Sequence, residues 1–209
     1  MRNTSVTRGF GLLETFLSHQ RMKIANKLIK EHDKNGAILD IGCGTYPNFL
    51  LNSNFNLKFG IDKEINNVEI KNQGIKLINH DILIDSKLPF QKESFDVIAM
   101  LAVIEHIKFD NINKVLKNCY SLLKEKGIII ITTPAKWSDS LLKIMAKLNL
   151  VSKQEIEEHK NSYTINQLHN ILLNASFVPE KIDKGYFEFF LNLWTVSYTH
   201  LTLPTILLV

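Results

Sequence analysis

Two glycines and two acids stand where they could hold a nucleotide-like ligand. Gly42 and Gly44 follow a short apolar run, Ile38 to Ile41, whose β-branched residues read as a buried strand. Pro47 suits the first position of a helix, where a missing N–H costs nothing. Tyr46, preceding a proline, is pushed out of the α region and should sit just outside that helix. Strand, glycine turn and helix N-terminus therefore follow one another. Glycines let a backbone approach a ligand closely, and a helix N-terminus favours negative charge. Asp62 lies about 20 residues further on, where an acid can accept both hydroxyls of a ribose. Asp81 ends another short strand and is suited to accept from an exocyclic adenine amine. His106 could take a proton from a substrate hydroxyl, because an unperturbed imidazole titrates near neutrality. His159 lies in the polar run Glu157-Glu158-His159-Lys160, which reads as a cover over an acceptor pocket or as a solvated charge run. Cys43 reads as a small residue chosen for fit, and Cys119 as core.

The elements that must position these residues alternate in type. Apolar residues at helical spacing from Leu12 to Glu31 predict one amphipathic helix or two, ending before Asn35-Gly36. Strands are expected at Ala37–Ile41, Leu57–Asp62, Ile75–Asp81, Ser94–Leu101 and Ile128–Thr133, with a turn at Lys124–Gly127. Helices are expected at Pro47–Asn52, weakly at Glu64–Asn72, at Asn111–Leu123, at Ser138–Leu150 and at Thr164–Ala175. Thr164 is placed to cap the last of these, with Gln167 in the capping-box position. Val178–Tyr186 and Phe189–Thr195 read as two closing strands. Alternating strands and helices predict an α/β domain with a doubly wound, mostly parallel, seven-stranded sheet. In such sheets a ligand lies outside the carboxyl ends of the strands, at the switch point. Asp62, Asp81 and Met100–Leu101 all fall at such ends.

The 209 residues suffice for one domain with a real core, and 45% hydrophobic with 22% charged residues is ordinary for a globular protein. A net charge of +4 is too small for a dedicated nucleic-acid binder. Two cysteines without CxxC spacing suggest neither a disulfide scaffold nor a zinc site. No apolar run approaches the roughly 18 residues of a membrane span, and Met1 to Gly9 is too polar for a signal peptide. A cytoplasmic protein is expected.

As an ordered set, several motifs resemble the class I S-adenosylmethionine-dependent methyltransferases, of the small-molecule "type 11" kind. They are Leu39-Asp40-Ile41-Gly42-Cys43-Gly44-Thr45, Gly60-Ile61-Asp62, His80-Asp81-Ile82, Ser94-Phe95-Asp96-Val97-Ile98, Val103-Ile104-Glu105-His106-Ile107 and Leu123-Lys124-Glu125-Lys126-Gly127. The resemblance spans roughly Ile24 to Thr195. It implies a Rossmann-like fold and S-adenosyl-L-methionine as cofactor. Asp40 would orient the glycine loop and reach the cofactor's amino group. Gly42, Cys43 and Gly44 would approach its methionine part and ribose. Asp62 would hold the ribose and Asp81 the adenine amine, with Ile82 on the ring and Leu101 beside the methionine moiety. His106 is the candidate catalytic base. No metal is implied, because displacement at a sulfonium needs none. Tyr46-Pro47 departs from the family pattern, where a small residue or third glycine often stands.

The reading is a methyltransferase acting on an O, N or C atom of a small-molecule acceptor. One alternative is a non-catalytic S-adenosylmethionine-binding partner subunit. A nicotinamide-dependent dehydrogenase is weakened by the missing third glycine and by the absence of a Tyr-x-x-x-Lys pair. Nucleic-acid methylation is disfavoured by the modest charge. The expected domain covers residues 1–195, with an N-terminal helix at about 12–34 and a lid-like segment at about 135–163. Residues 196–209 change character and resemble a translated adapter read-through, so they are expected to be a loosely docked, non-native tail.

Overall fold

The computed structural model describes residues 12–188 and 191–199. Helix α1 (Glu14–Leu28) and a 3₁₀ turn at Glu31–Asn35 lead into strand β1 (Ala37–Ile41). Then come α2 (Asn48–Leu51), β2 (Leu57–Asp62), β3 (Val68–Ile70), β4 (Ile75–Asn79), β5 (Phe95–Leu101), α3 (Phe109–Leu122) and β6 (Leu123–Pro134). The chain continues through α4 (Asp139–Lys147), α5 (Lys153–Glu157), α6 (Ile165–Asn174), β7 (Ile182–Phe187) and β8 (Asn192–Tyr198). The eight strands form one sheet in the order β3-β4-β2-β1-β5-β6-β8-β7. The five strands from β4 to β6 are parallel; β3, β8 and β7 join by antiparallel pairing. The chain moves outward from β1 to β2 and β4, then returns to β5 on the other side of β1. The switch point therefore lies between β1 and β5, where a crevice opens at the carboxyl ends of the strands.

Continuous apolar strands divide their side chains between two faces. Leu39, Ile41, Ile98, Met100, Ile129 and Ile131 pack on one face with α3 and α6. Ile38, Val97, Ala99, Ile128 and Ile130 pack on the other with Met22 and Ala25 of α1 and with Phe49 and Leu50 of α2. Burial on both faces is why these strands show no polar alternation. Asp96 pins the start of β1: its carboxylate accepts from Ala37 N at 2.7 Å and pairs with Lys124 Nζ at 2.7 Å. Gly36 is needed there, since a Cβ would meet Asp96 Oδ2 at 1.9 Å. Thr164 caps α6, its hydroxyl accepting from Gln167 N while Gln167 Oε1 accepts from Thr164 N, a complete capping box.

Three elements differ from expectation. The weak helix at Glu64–Asn72 is instead edge strand β3 and a 3₁₀ turn, closed by Gly74 at φ +62°. The alternating Val68 and Ile70 pair with β4, and that pairing overrides a marginal helical pattern. Lys124–Gly127 is a bulge inside β6, because Leu123 pairs with Phe95 before Ile128 pairs with Val97. Thr199 holds it from the other side, its hydroxyl donating to Lys124 O and its N–H to Gly127 O. The last strand also runs past Thr195. Val196, Ser197 and Tyr198 pair with Ile130, Ile129 and Ile128, and Val196 is 3% exposed. Residues 196–198 are thus part of the sheet, and Thr199 is tied to the bulge, so these four are not loosely docked. Phe189 and Phe190, the expected start of that strand, and residues 200–209 of the expected tail lie outside the described residues. Pro47 sits at the N-cap of α2, one position before its expected place.

Candidate active site

The glycine turn at the end of β1 is fixed by its neighbour strand. Gly42 N and Cys43 N both donate to Ile61 O, at 2.8 and 3.2 Å, and Gly44 N donates to Asp62 Oδ2 at 3.0 Å. The other Asp62 oxygen accepts from Glu64 N at 2.9 Å. Asp62 therefore ties the turn to β2 while facing the crevice. Gly42 adopts φ +74°, and a Cβ there would lie 2.5 Å from Val103 Cγ2, so a side chain is excluded twice over. Cys43 turns its sulfur inward against Gly60 and is 2% exposed, which leaves only its backbone toward the site.

A cavity of about 800 Å³ occupies the crevice. Ile41, Gly42, Gly44, Asp62, Asp81, Ile82, Leu101 and His106 all line it, together with Arg21, Glu155 and Glu158. A smaller adjoining cavity of about 350 Å³ is lined by Asp40, Gly42, Cys43 and Leu101, with Ser18, Arg21 and Met22 of α1. The nine sequence-selected residues thus converge on two cavities that share Arg21, Gly42 and Leu101. Asp81 shapes its own loop, its Oδ1 accepting from Leu83 N at 2.8 Å. Just after β5, Ala102 takes φ +58°, an uncommon conformation for a residue with a Cβ, and its N–H donates to Thr132 O. That kink carries Val103 and His106 into the cavity wall.

Asp40 is 4% exposed, and burial followed by the charge of Asp62 raises its pKa well above the ordinary carboxylate range. Two crowded acids favour a cationic ligand group between them.

At the far end of the crevice the chain is stitched from distant segments. Lys160 N and Asn161 N both donate to Glu105 O, at 2.9 and 3.1 Å. The His106 ring nitrogen Nδ1 lies 3.3 Å from Glu158 O. The His106 and His159 rings meet edge to face at 5.1 Å. Glu105 is 1% exposed, and burial pushes its carboxyl up to about 7. Burial, then the neighbouring His106 and Arg21, lowers His159 to about 4, so that ring is neutral at physiological pH. Ligand atoms of Glu105, His106 and His159 lie within 4.8 Å of one another. Two imidazoles and a carboxylate form a donor set able to hold a divalent cation. The charge of Arg21, felt by both Glu105 and His159, opposes one there.

Sequence reasoning missed Arg21 and Glu155, whereas Glu158 belongs to the polar run read as a cover over an acceptor pocket. One signal for Arg21 was available: every cationic side chain from residue 9 onward is lysine except this one, histidines aside. Nothing local marks Glu155, which reaches the cavity only through the fold of the segment after β6.

A family model described as a methyltransferase domain matches residues 13–181, well over half of the chain. The chain belongs to this family. Its fold is that of class I S-adenosylmethionine-dependent methyltransferases, and S-adenosylmethionine is the methyl donor of the group. A phosphoethanolamine N-methyltransferase of Plasmodium falciparum is 26% identical over 174 residues, which are 76% of this chain and 64% of that one. The chain therefore spans just under two thirds of the length of that curated relative. Among solved structures, a methyltransferase of Thermotoga maritima titled a possible histamine N-methyltransferase superposes with a TM-score of 0.66 at 18% identity, covering 89% of this chain and 90% of that one. A Haemonchus contortus phosphoethanolamine N-methyltransferase, solved with phosphomonomethylethanolamine and S-adenosylhomocysteine, superposes with a TM-score of 0.57 at 19% identity, over 80% of this chain and 38% of that one.

The residues fit the cofactor of this methyltransferase family. The acids of the crevice suit a ligand that carries an ammonium and a sulfonium, and Ile82 offers an apolar surface for a flat ring. Among the described residues no helix is long and apolar enough to cross a membrane.

Proposed function

We propose that this methyltransferase acts on a nitrogen or oxygen atom of a small-molecule acceptor held between His106, Glu155 and Glu158. The observation that carries the reading is the single crevice, with Asp62 and Asp81 at one end and His106, Glu155 and Glu158 at the other. When bound, S-adenosylmethionine supplies an electrophilic methyl group on sulfur. Asp62 would accept from the ribose hydroxyls, Asp81 from the adenine amine, and Asp40 from the amino group. Ile82 would pack on the adenine, and Leu101 beside the methionine chain. His106 would accept the proton that the acceptor atom loses, its ring oriented by the contact of Nδ1 with Glu158 O. Glu155 and Glu158 favour an acceptor with a protonatable amine. The Plasmodium falciparum relative is named for an amine acceptor, and the Thermotoga maritima structure is titled a possible histamine N-methyltransferase, which supports the same class.

The test is release of S-adenosylhomocysteine over a panel of small amines, amino alcohols and phenols. At least one amine should be turned over. His106→Ala should lower kcat about a hundredfold, the usual scale for a general base, while cofactor affinity by calorimetry stays unchanged. Cofactor binding without turnover of any acceptor would support the non-catalytic partner subunit instead. Turnover insensitive to His106→Ala would remove the base from the reading.

A further inference from the structure

The segment after β6 presents an apolar stripe outward, which is unusual for a helix beside a cavity. Trp137, Leu141, Leu142, Met145 and Leu148 recur at helical spacing in the sequence, a pattern that could line an acceptor site or pack as core. In the structure Trp137 is 56% exposed, Leu141 39%, Ile144 54% and Leu148 64%. These residues recur at i, i+4, i+7 and i+11 through the 3₁₀ turn Lys136–Ser138 and α4, so they form one line along the helix. The opposite side is the packed one, through Ser138 and Ala146. Leu12, 79% exposed, extends the stripe beyond its end, because its N–H donates to Asn149 O. Lys136, Lys143 and Lys147 recur at i, i+7 and i+11 and are exposed, so they form a second row beside the apolar one. Nearby acids do not cancel that row. Asp139 is half-buried, Glu155 and Glu158 line the cavity, and Glu157 lies 3.6 Å from Lys153. Other exposed apolar residues, such as Ile84 and Leu57, come from separate elements.

We propose that this face docks in the plane of an anionic membrane surface. An apolar stripe with an aromatic end and a flanking lysine row is the pattern of an interfacial helix. The apolar side enters the headgroup boundary and the lysines meet lipid phosphates. A protein partner would not call for three aligned lysines beside the stripe; an anionic surface does. Docking would place the lid against the bilayer, and the acceptor end of the crevice beside it. The proposal concerns the outer face of the lid and holds whatever acceptor the site takes.

Trp137 is its own reporter, since the second tryptophan, Trp194, lies in β8. The full chain is mixed with vesicles of phosphatidylcholine alone or with added phosphatidylglycerol, and binding is read by flotation and by tryptophan emission. The expected result is flotation with the anionic vesicles only, reversed by high salt, with a blue shift that Trp137→Phe removes. Ile144→Ser with Leu148→Ser should weaken partitioning about tenfold or more, the scale of burying two aliphatic side chains. Lys143→Glu with Lys147→Glu should abolish the preference for anionic vesicles. Both pairs should leave melting temperature and cofactor affinity unchanged, since all four side chains are exposed. Absence of flotation with anionic vesicles overturns the proposal. A doubled molar mass in solution that Ile144→Ser with Leu148→Ser reverses would also overturn it, in favour of a second copy. Flotation that appears only after residues 1–11 are removed would overturn it too, by showing that the chain's own terminus covers the stripe.

Discussion

The two ends of the crevice are built in different ways. At the proposed cofactor end each side chain sits at or just past the carboxyl end of its own strand. Asp40 lies in β1, Asp62 ends β2, and Asp81 follows β4 by two residues. The sheet register therefore places them, and hydrogen bonds such as Gly44 N to Asp62 Oδ2 hold them over short loops. At the proposed acceptor end the wall comes from α1, the turn after β5, and the proposed lid, residues 135–163. Its ties join residues far apart in sequence: Ser152 N to Glu14 Oε1 at 2.7 Å, Leu13 N to Leu150 O at 2.8 Å, and Lys160 N to Glu105 O at 2.9 Å. A site written into strand ends is rigid and can change little. A site held by a few long-range ties can move and can vary its residues, which is where specificity on a fixed fold resides.

The largest effect should come from breaking the rigid end. Asp62→Ala removes the acceptor of two backbone N–H groups and the proposed ribose ligand. Charge-assisted hydrogen bonds are worth about 1.5–3 kcal/mol each. S-adenosylmethionine affinity should fall tenfold or more, and the melting temperature should fall with it, because Gly44 N and Glu64 N lose their partner. Calorimetric titration beside a thermal melt checks both. Unchanged affinity would show that Asp62 holds the turn alone and that the ribose is held elsewhere.

A smaller and more selective effect is expected where α1 meets the lid. Glu14 is 5% exposed, and its carboxylate accepts from Ser152 N. Glu14→Ala leaves a buried N–H without its partner, at a cost of about 1–3 kcal/mol. If the lid is the mobile half, this loss should raise KM for the acceptor several-fold and change cofactor affinity less than twofold. Steady-state kinetics with each substrate varied in turn separates the two. Equal losses would mean that the ends of the crevice do not move independently.

The same contrast explains what was legible in the sequence. Ala37–Ile41 and Leu57–Asp62 are strands with the expected bounds, because an apolar run, a glycine break and a terminal acid are all local signals. The residues selected around Gly42 lie on the crevice because each one is placed by the strand it ends. Arg21 and Glu155 were invisible because tertiary packing alone brings their elements to the crevice. Trp137 and Leu141 are apolar at helical spacing yet exposed, because a helical period marks an apolar face but not which way it points. The turn read at Lys124–Gly127 failed because strand pairing with β5 and the contacts of Thr199 hold it within the ladder. The expected boundary at Thr195 failed likewise, since the polar Ser197 and Thr199 read as tail yet are buried beside β6.

The smallest effect sits within the lid and shows only in acid. His159 titrates near 4 in the fold, against 6.5 for a free imidazole, so the native state binds its proton less readily than the unfolded chain. Its contribution to stability is complete above pH 6.5 and is lost as pH falls toward 4. Glu105 and Glu188 have the opposite sign. Burial raises each to about 7 from 4.5, so their contribution is complete below 4.5 and is lost as pH rises through 7. Between pH 7 and pH 5 the histidine therefore destabilises the fold on acidification while the two glutamates stabilise it. The two glutamates outweigh the one histidine, so these groups should stabilise wild type between pH 7 and pH 5. His159→Gln removes the opposing contribution, so its melting temperature should gain more than wild type over that window. Glu105→Gln should gain less. Cofactor affinity at pH 7 should be the same in all three proteins, because His159 and Glu105 line neither cavity at the cofactor end. Parallel melting curves for wild type and His159→Gln would show that the lid histidine is solvated, and that the acceptor wall is open in solution where the structure has it closed.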